Sequence, residues 1–181
     1  EAVEWFRKAV AAAPDDPRAR ANLGVALKDV GQFAESEACY RQAIAVAPRF
    51  AGAHNNLGIL LSDTGRGEQA LACFEEALQL DPRFPDARHN RGAVLAEMHR
   101  HEEAIGDFHA AIALKSDEAE YHNSLGASLA VLGQTDAALA AYEQALAVDP
   151  AHAWAHFNRS QAWMLRGDWE RGLAEWEWRK R

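Results

Sequence analysis

The amino-acid sequence predicts an all-α protein, a right-handed superhelical solenoid of stacked helix pairs. Three observations lead to this prediction: residues recur at an interval of 34 positions, apolar residues within each interval have helical spacing, and no stretch alternates with strand periodicity. The recurring columns are glycine (Gly24, Gly58, Gly92, Gly126), proline (Pro14, Pro48, Pro82, Pro150), an aromatic ring (Phe6, Tyr40, Phe74, Phe108, Tyr142, Trp176) and alanine (Ala9, Ala43, Ala77, Ala111, Ala145). Four independent columns in one phase indicate a repeat array.

Each repeat is predicted to contain two helices, and residues 51–84 illustrate the pattern. The leucines of Ala51–Asp63 lie at helical spacing, so this segment forms the first helix. A turn follows at residues 64–67, because glycine favours the left-handed backbone that ends a helix. Residues 68–80 form the second helix, which ends before Pro82 because a proline inside a helix loses a backbone hydrogen bond and clashes with the preceding turn.

Small residues at fixed positions are expected to let the two helices of a repeat approach closely. In the same repeat, Gly58, Ala70 and Ala77 lack bulk, while Leu57 and Phe74 fill the space between the helices. The same slots recur in phase along the chain, so we expect every repeat to pack in this way.

Taken in order along the chain, this pattern predicts eleven helices in a single array. Residues 1–16 hold only the second helix of a partial repeat, and residues 153–181 hold a partial terminal repeat. Full repeats are predicted at residues 17–50, 51–84, 85–118 and 119–152. Because each repeat leaves an apolar face for its neighbour, we expect the chain to be part of a longer protein. Its uncapped terminal helices make a homo-oligomer possible.

The succession of Leu-Gly, Gly, Ala, Phe or Tyr, Ala and Pro resembles the tetratricopeptide repeat (TPR) family, whose unit is a 34-residue helix-turn-helix. The resemblance covers essentially the whole chain, and the ending with three tryptophans is similar to that of bacterial TPR proteins. It implies a non-catalytic module that binds a protein or peptide ligand in a concave groove. The sequence departs from the family pattern at Ser36, Arg91, Ser116, Arg159, Ser160, Gly172 and Arg179.

Composition argues against several other classes of protein. The formal net charge is -8 and no basic block occurs, which excludes the clustered lysines and arginines that binding to nucleic acid or to an anionic membrane requires. No apolar run approaches the roughly 20 residues that span a bilayer, so no membrane insertion is expected. Two cysteines do not make a disulfide scaffold, which favours a cytoplasmic location.

The candidate peptide-binding site is a column of polar residues, one before each Leu-Gly slot of the first helices. Its members are Asn22, Asn56, Asn90, Ser124 and Asn158, and Asn55 and Asn123 add further amides beside it. A carboxamide offers a donor and an acceptor that match the N–H and C=O of a peptide backbone. The column is similar to the asparagine ladder in the TPR region of O-linked N-acetylglucosamine transferase, which implies that these residues hold an extended peptide.

Three alternatives to this interpretation stay open. The asparagines could instead bond within their own helix pairs. The chain could be the substrate-recognition region of a bacterial glycosyltransferase whose catalytic domain lies outside it. It could also be a scaffold that assembles with itself through its uncapped ends.

No catalytic residue, metal site or cofactor is predicted. His99, His101 and His109 lie near acidic residues, but the spacing of zinc ligands is missing, and the first two belong to an inter-helix turn where exposed polar residues are expected. Cys39 and Cys73 share one slot of the repeat and have no acid–base partner in the sequence, so we expect packed or half-exposed thiols.

Overall fold

A computed structural model describes residues 1–180, with the backbone alone for residues 179 and 180. Over this range the chain forms eleven α-helices, one short 3₁₀ helix and no strand, which confirms the predicted all-α fold class and the number of helices. The side chain of Arg179, which interrupts the alanine column, and the last residue of the predicted terminal repeat, Arg181, lie outside the described residues.

First and second helices alternate along the chain. The first helices are α2 (Pro17–Asp29), α4 (Ala51–Asp63), α6 (Pro85–Glu97), α8 (Ala119–Val131) and α10 (Ala153–Leu165). The second helices are α1 (Ala2–Ala12), α3 (Phe33–Val46), α5 (Gly67–Leu80), α7 (His101–Leu114), α9 (Thr135–Val148) and α11 (Trp169–Trp176), which the 3₁₀ helix Glu177–Lys180 follows. In the repeat analysed above, the second helix begins at Gly67, one residue earlier than predicted.

The chain divides into two compact units, unit 1 from Glu1 to Val94 and unit 2 from Leu95 onward. Within unit 1, each of the helices from α1 to α5 packs against the next, and the first helices α2 and α4 also touch. Within unit 2, the helices from α7 to α11 follow the same order, and the first helices α8 and α10 touch. In each unit the first helices are therefore neighbours of one another as well as of their second helices.

A glycine under an aromatic ring lets the two helices of a repeat approach closely. A Cβ atom built on Gly24 would lie 2.6 Å from the ring of Tyr40, and one on Gly58 would lie 2.6 Å from the ring of Phe74. Both rings are at most 1% exposed. Ser36, which replaces the usual alanine, donates its Oγ–H to the carbonyl oxygen of Gly24 at 2.7 Å and strengthens the same contact.

The turn between the two helices of a repeat requires a left-handed backbone. Gly31, Gly65, Gly133 and Gly167 have φ between +73° and +91°. In the remaining full repeat the same slot holds His99, with φ +61°, a conformation that costs a residue with a Cβ more than it costs glycine. His101, two positions later, is buried at the start of α7 with its Nδ1 unbonded, so the prediction that it belongs to an exposed turn was wrong.

A repeated hydrogen bond joins each repeat to the one before it. At the fourth position of every first helix, a side-chain N–H faces the carbonyl oxygen of the residue six positions earlier. The bonds are Arg20 Nε to Pro14 (2.8 Å), His54 Nε2 to Pro48 (3.0 Å), Arg88 Nη2 to Pro82 (3.3 Å), His122 Nε2 to Ser116 (3.0 Å) and His156 Nε2 to Pro150 (2.8 Å). Because the acceptor is a backbone oxygen, Ser116 takes the place of a proline without losing the bond.

Candidate functional site

The predicted polar column occupies the sixth position of each first helix, on α2, α4, α6, α8 and α10. Asn22 is exposed, whereas Asn56, Asn90, Ser124 and Asn158 are half-buried. Each member holds the same position in its own helix because the first helices start at intervals of 34 residues. The structure separates the members of the column by what their side chains bond to.

Two members of the column donate a hydrogen bond to the neighbouring first helix. Asn90 Nδ2 donates to Asn55 Oδ1 at 3.0 Å within unit 1, and Asn158 Nδ2 donates to Asn123 Oδ1 at 3.0 Å within unit 2. Asn55 and Asn123 are only 5% and 6% exposed. They therefore lie beneath the surface as acceptors and hold the column amides, rather than facing solvent beside them.

Asn22 and Asn56 differ, because neither carboxamide has a hydrogen bond within the described residues. Asn56 lies 35 positions after Ala21, which has no acceptor, whereas Asn90 lies 35 positions after Asn55. The first helices α2 and α4 are in contact, so these two amides lie on adjacent first helices of unit 1. The donor and acceptor atoms of both carboxamides are therefore unused within the described part of the chain.

The remaining member of the column, Ser124, is engaged within its own helix. Its Oγ–H donates to Glu120 Oε1 at 3.2 Å, and the Nδ2 of Asn123 lies 3.4 Å from the same oxygen. Glu120 also accepts a hydrogen bond from His152 Nε2 at 3.0 Å, at the start of α10. Ser124 therefore belongs to a group of hydrogen-bonded polar side chains in unit 2.

Apolar and charged side chains surround the two unbonded amides. One turn after Asn22, Val25 is 37% exposed, and Ile59 occupies the same slot after Asn56 in a half-buried position. Lys28 Nζ and Asp63 Oδ2 form an ion pair at 3.1 Å between α2 and α4. The surface can therefore offer amides for a peptide backbone next to aliphatic contacts for side chains.

Beside Asn22, α1 and α2 enclose a pocket of about 380 Å³. Val3 and Phe6 of α1 form one side, and Asn22, Val25 and Asp29 of α2 form the other. Its lining contains the carboxylates of Glu1 and Asp29 but no lysine or arginine.

Models of the tetratricopeptide repeat family match three parts of the chain. Two models described as tetratricopeptide repeat match residues 21–83 and 73–106, and one described as TPR repeat matches residues 129–167. The chain is a tetratricopeptide-repeat protein. None of the curated proteins matches it significantly in sequence.

Solved structures of TPR proteins resemble the chain over nearly its whole length. YrrB, a TPR protein with an unusual peptide-binding site, is 25% identical with a TM-score of 0.74, and the match covers 96% of this chain and 90% of YrrB. TTC0263, a thermophilic TPR protein from Thermus thermophilus, is 25% identical with a TM-score of 0.75, covering 90% of this chain and 89% of that one. PilF of Pseudomonas aeruginosa is 22% identical with a TM-score of 0.83, and the match covers 94% of this chain and 78% of PilF. At this level of identity the similarity concerns the fold alone.

The last repeat of this TPR protein contains a polar cluster that the sequence reasoning missed. Arg159 Nη2 donates to Glu175 Oε1 at 2.8 Å, and His156 Nδ1 contacts the same oxygen. The ring of Trp178 stacks on His156 with the centroids 3.8 Å apart. A sequence signal was available: Arg159 replaces a leucine of its column, and Glu175 lies 16 residues later in the variable slot of Cys39, Cys73, Asp107 and Ala141, so a cation and an anion of one repeat fall at positions that face each other.

Titratable groups elsewhere in the described residues show structural causes for their shifts. Burial raises the pKa of the Cys39 and Cys73 thiols, which are half-buried as predicted. Hydrogen bonds from Arg66 and Arg41 lower the pKa of Glu37. Over residues 1–180, no group of three or more His, Cys, Asp and Glu side chains is placed to hold a metal ion. Within the same range, none of the helices combines the length and the apolar character needed to cross a bilayer.

Proposed function

We propose that this TPR protein is a non-catalytic interaction module that binds a peptide segment or partner protein along its first helices. The observation that carries the proposal is the pair Asn22 and Asn56, two carboxamides on touching helices with no hydrogen bond in the described part of the chain. Similarity to YrrB, a TPR protein with a peptide-binding site, supports it. The contact surface consists of these amides together with Val25 and Ile59.

The spacing of the helices suits an extended ligand. Packed helices lie roughly 8–10 Å apart, and an extended peptide advances about 3.3 Å per residue, so neighbouring amides meet about every third residue. Each carboxamide can donate to a peptide C=O and accept from an N–H. Such contacts would hold the backbone of the peptide, and selectivity would come from the peptide side chains that contact Val25 and Ile59.

The other predicted residues take three different parts in this proposal. Asn90 and Asn158 each use one N–H for a neighbouring helix and keep a second N–H and the oxygen for a ligand. Asn55 and Asn123 position these side chains from below, and Ser124 provides a weaker rung. Of the alternatives, a glycosyltransferase arm has no observation of its own among the described residues that favours it over the binding module.

The experiment has two stages. A peptide array probed with the intact chain identifies a ligand, and titration calorimetry then compares the chain with its Asn22→Ala/Asn56→Ala variant. Loss of about 1 kcal/mol for each of the two carboxamides predicts a weakening of about 30-fold in the double variant. Gln69→Ala removes an exposed carboxamide from the second helix α5 and should leave the affinity unchanged.

A second variant separates binding from stability. Asn55→Ala removes the acceptor of Asn90 and should lower the free energy of unfolding by about 1 kcal/mol. Since Asn22 and Asn56 have no such bond, their double variant should unfold at nearly the same denaturant concentration as the parent. If the peptide bound the parent and the double variant equally well, the proposed contact surface would be rejected.

A further inference from the structure

The first turn of α10 is capped by a histidine ring. His152, at the N-cap position, accepts the backbone N–H of Ala155 at its Nδ1 over 3.1 Å. The residue at the same slot before α2, Asp16, caps that helix through a carboxylate oxygen that accepts from Arg18 N at 2.8 Å. Each side chain thus satisfies a backbone donor that a helix leaves unbonded at its start, but a carboxylate oxygen accepts over a wide range of pH and an imidazole does not.

The second nitrogen of the same ring is also engaged. His152 Nε2 donates to Glu120 Oε2 of α8 at 3.0 Å, and the histidine side chain is 14% exposed. A neutral imidazole carries one N–H donor and one acceptor nitrogen. With its proton on Nε2 the ring satisfies both contacts at once, so the two partners select one tautomer of the neutral form.

Protonation of the ring removes its acceptor. An imidazolium has an N–H on both nitrogens, so Nδ1 then directs a proton at the N–H of Ala155 and the cap is lost. The positive charge also lies at the end of α10 where the helix dipole is positive. The bond to Glu120, in contrast, becomes a charge-assisted ion pair. Protonation of His152 therefore breaks the cap of α10 while it keeps the bond to α8.

The carboxylates beside the first turn of α10 come from three elements. From α8, Glu120 bonds to the capping ring itself. From the end of α9, the carboxylate of Asp149 accepts the backbone N–H of Ala151. From α11, Glu175 bonds to His156, one turn further along α10. Of these three groups, Glu120 is therefore the one that favours the charged form of the capping ring, and the N–H of the first turn opposes it.

The carboxylate that holds the capping ring also bonds to the polar column. Glu120 Oε1 accepts from Ser124 Oγ at 3.2 Å and from Asn123 Nδ2 at 3.4 Å. Asn123 Oδ1 in turn accepts from Asn158 Nδ2 at 3.0 Å. Hydrogen bonds thus run from the N-cap of α10 to two members of the column, and a charge on His152 acts on the carboxylate between them.

We infer that His152 is a pH-sensitive cap: the neutral ring closes the first turn of α10, and uptake of a proton opens it. Histidine is the side chain that ordinarily changes its charge between about pH 5 and 8, so the cap responds to mild acidification. It is present at the alkaline end of this range and is lost as the pH falls. The inference concerns the structure of unit 2 and does not rest on the proposed function.

NMR on the intact chain reads both the ring and the cap. Long-range proton–nitrogen correlation, assigned with His152→Asn, should show the proton on Nε2 at about pH 7.5 and on both nitrogens at about pH 5. The amide of Ala155, corrected for its intrinsic rate, should exchange about fivefold faster at the acid end, as expected for the loss of one N-cap. The amide of Ala53 holds the same slot of α4 and donates to the carbonyl oxygen of Phe50, so its corrected rate should stay constant.

Two variants separate the proton from the cap. The carboxamide of His152→Asn caps a helix without titrating, so exchange at Ala155 should become independent of pH. Glu120→Gln keeps an acceptor for Nε2 but removes the charge that favours the imidazolium, so the opening should move to lower pH. A neutral ring protonated on Nδ1, constant exchange at Ala155 while the ring titrates, or equal pH dependence in the parent and His152→Asn would overturn the inference.

Discussion

At the scale of single residues, close packing decides which positions tolerate change. The glycine column allows an aromatic ring to rest on a helix backbone, and the rings of Tyr40, Phe74 and Tyr142 are buried there. Glycine inside a helix otherwise costs about 1 kcal/mol relative to alanine, so its presence is explained by the ring above it.

A pair of glycine substitutions tests this explanation. Gly58→Ala should lower the free energy of unfolding by about 1–2 kcal/mol, because the steric cost against the buried ring of Phe74 exceeds the gain in helix propensity. Gly106→Ala, at an exposed helical site with nothing within 4 Å of its Cβ, should instead raise it by up to about 1 kcal/mol. Urea denaturation of both variants measures the two changes in the free energy of unfolding. An increase in both variants would contradict the steric argument.

Burial of Tyr142 gives the protein a dependence on alkaline pH. Desolvation raises its pKa to about 12 in the folded state, against about 10 in an unfolded chain. Below pH 10 both states keep the proton, and the contribution to stability is fully present. Between about pH 10 and 12 the unfolded state ionises first, so the free energy of unfolding should fall by up to about 3 kcal/mol.

The measurement compares the chain with Tyr142→Phe across this range of pH. Phe74 and Phe108 already occupy the same slot in other repeats, so the variant should fold, and the difference in stability should shrink or change sign as pH rises. Parallel curves for the two proteins from pH 9 to 12 would mean that the hydroxyl is not shielded from water.

At the scale of the helix, α11 is attached to α10 by charge as well as by apolar contact. Arg159 and Glu175 are 21% and 17% exposed, and the Nε of Arg159 is buried without a hydrogen bond. Removing one partner from such a pair leaves a poorly solvated charge, which costs more than the pair itself contributes.

A double-mutant cycle measures this attachment. Glu175→Ala alone should loosen α11 and speed limited proteolysis after Arg171, with a loss of about 1–3 kcal/mol from the stability of the last repeat. Arg159→Leu combined with Glu175→Ala recreates the residues of the preceding repeat, Leu125 and Ala141, and should recover most of that loss. A double variant as labile as Glu175→Ala would show that the charges do not act as a pair.

The sequence predicted the helices more fully than it predicted the contacts of their polar residues. The limits of α4 follow from leucine spacing and from Gly65, because these are local effects that repeat in phase. The bond from Asn90 to Asn55 depends on how neighbouring first helices are offset, and the relevant interval is 35 residues rather than 34. A prediction from columns alone therefore grouped Asn55 with the exposed amides, although it lies beneath them.

At the scale of the whole chain, stability should be distributed in local steps. The helix contacts described within unit 1 and unit 2 join near neighbours in the sequence, as expected for repeat proteins, whose stability is approximately a sum over repeats and their interfaces. A substitution inside one repeat should consequently lower the local stability of that repeat and the next more than that of distant repeats.

Hydrogen exchange tests this distribution. In the Gly58→Ala variant, amides of α4 and α5 should exchange about tenfold faster for each 1.4 kcal/mol lost, while amides of α8 and α9 should exchange as in the parent. Equal acceleration in both units would show that the chain opens as a single cooperative body.

The side-chain bond to the carbonyl six residues earlier has a practical consequence for rebuilding the array. Each of these hydrogen bonds crosses the boundary between two repeats, as the bond between His54 and the carbonyl oxygen of Pro48 does. Joining two segments at residue 50 therefore places the donor and the acceptor in different segments. A segment that runs instead from the turn between the two helices of one repeat to the same turn of the next, such as residues 33–66, contains both the donor and the acceptor. Such a segment separates Gly58 from Phe74, so an exchanged segment must again place a glycine beneath an aromatic ring across each new junction.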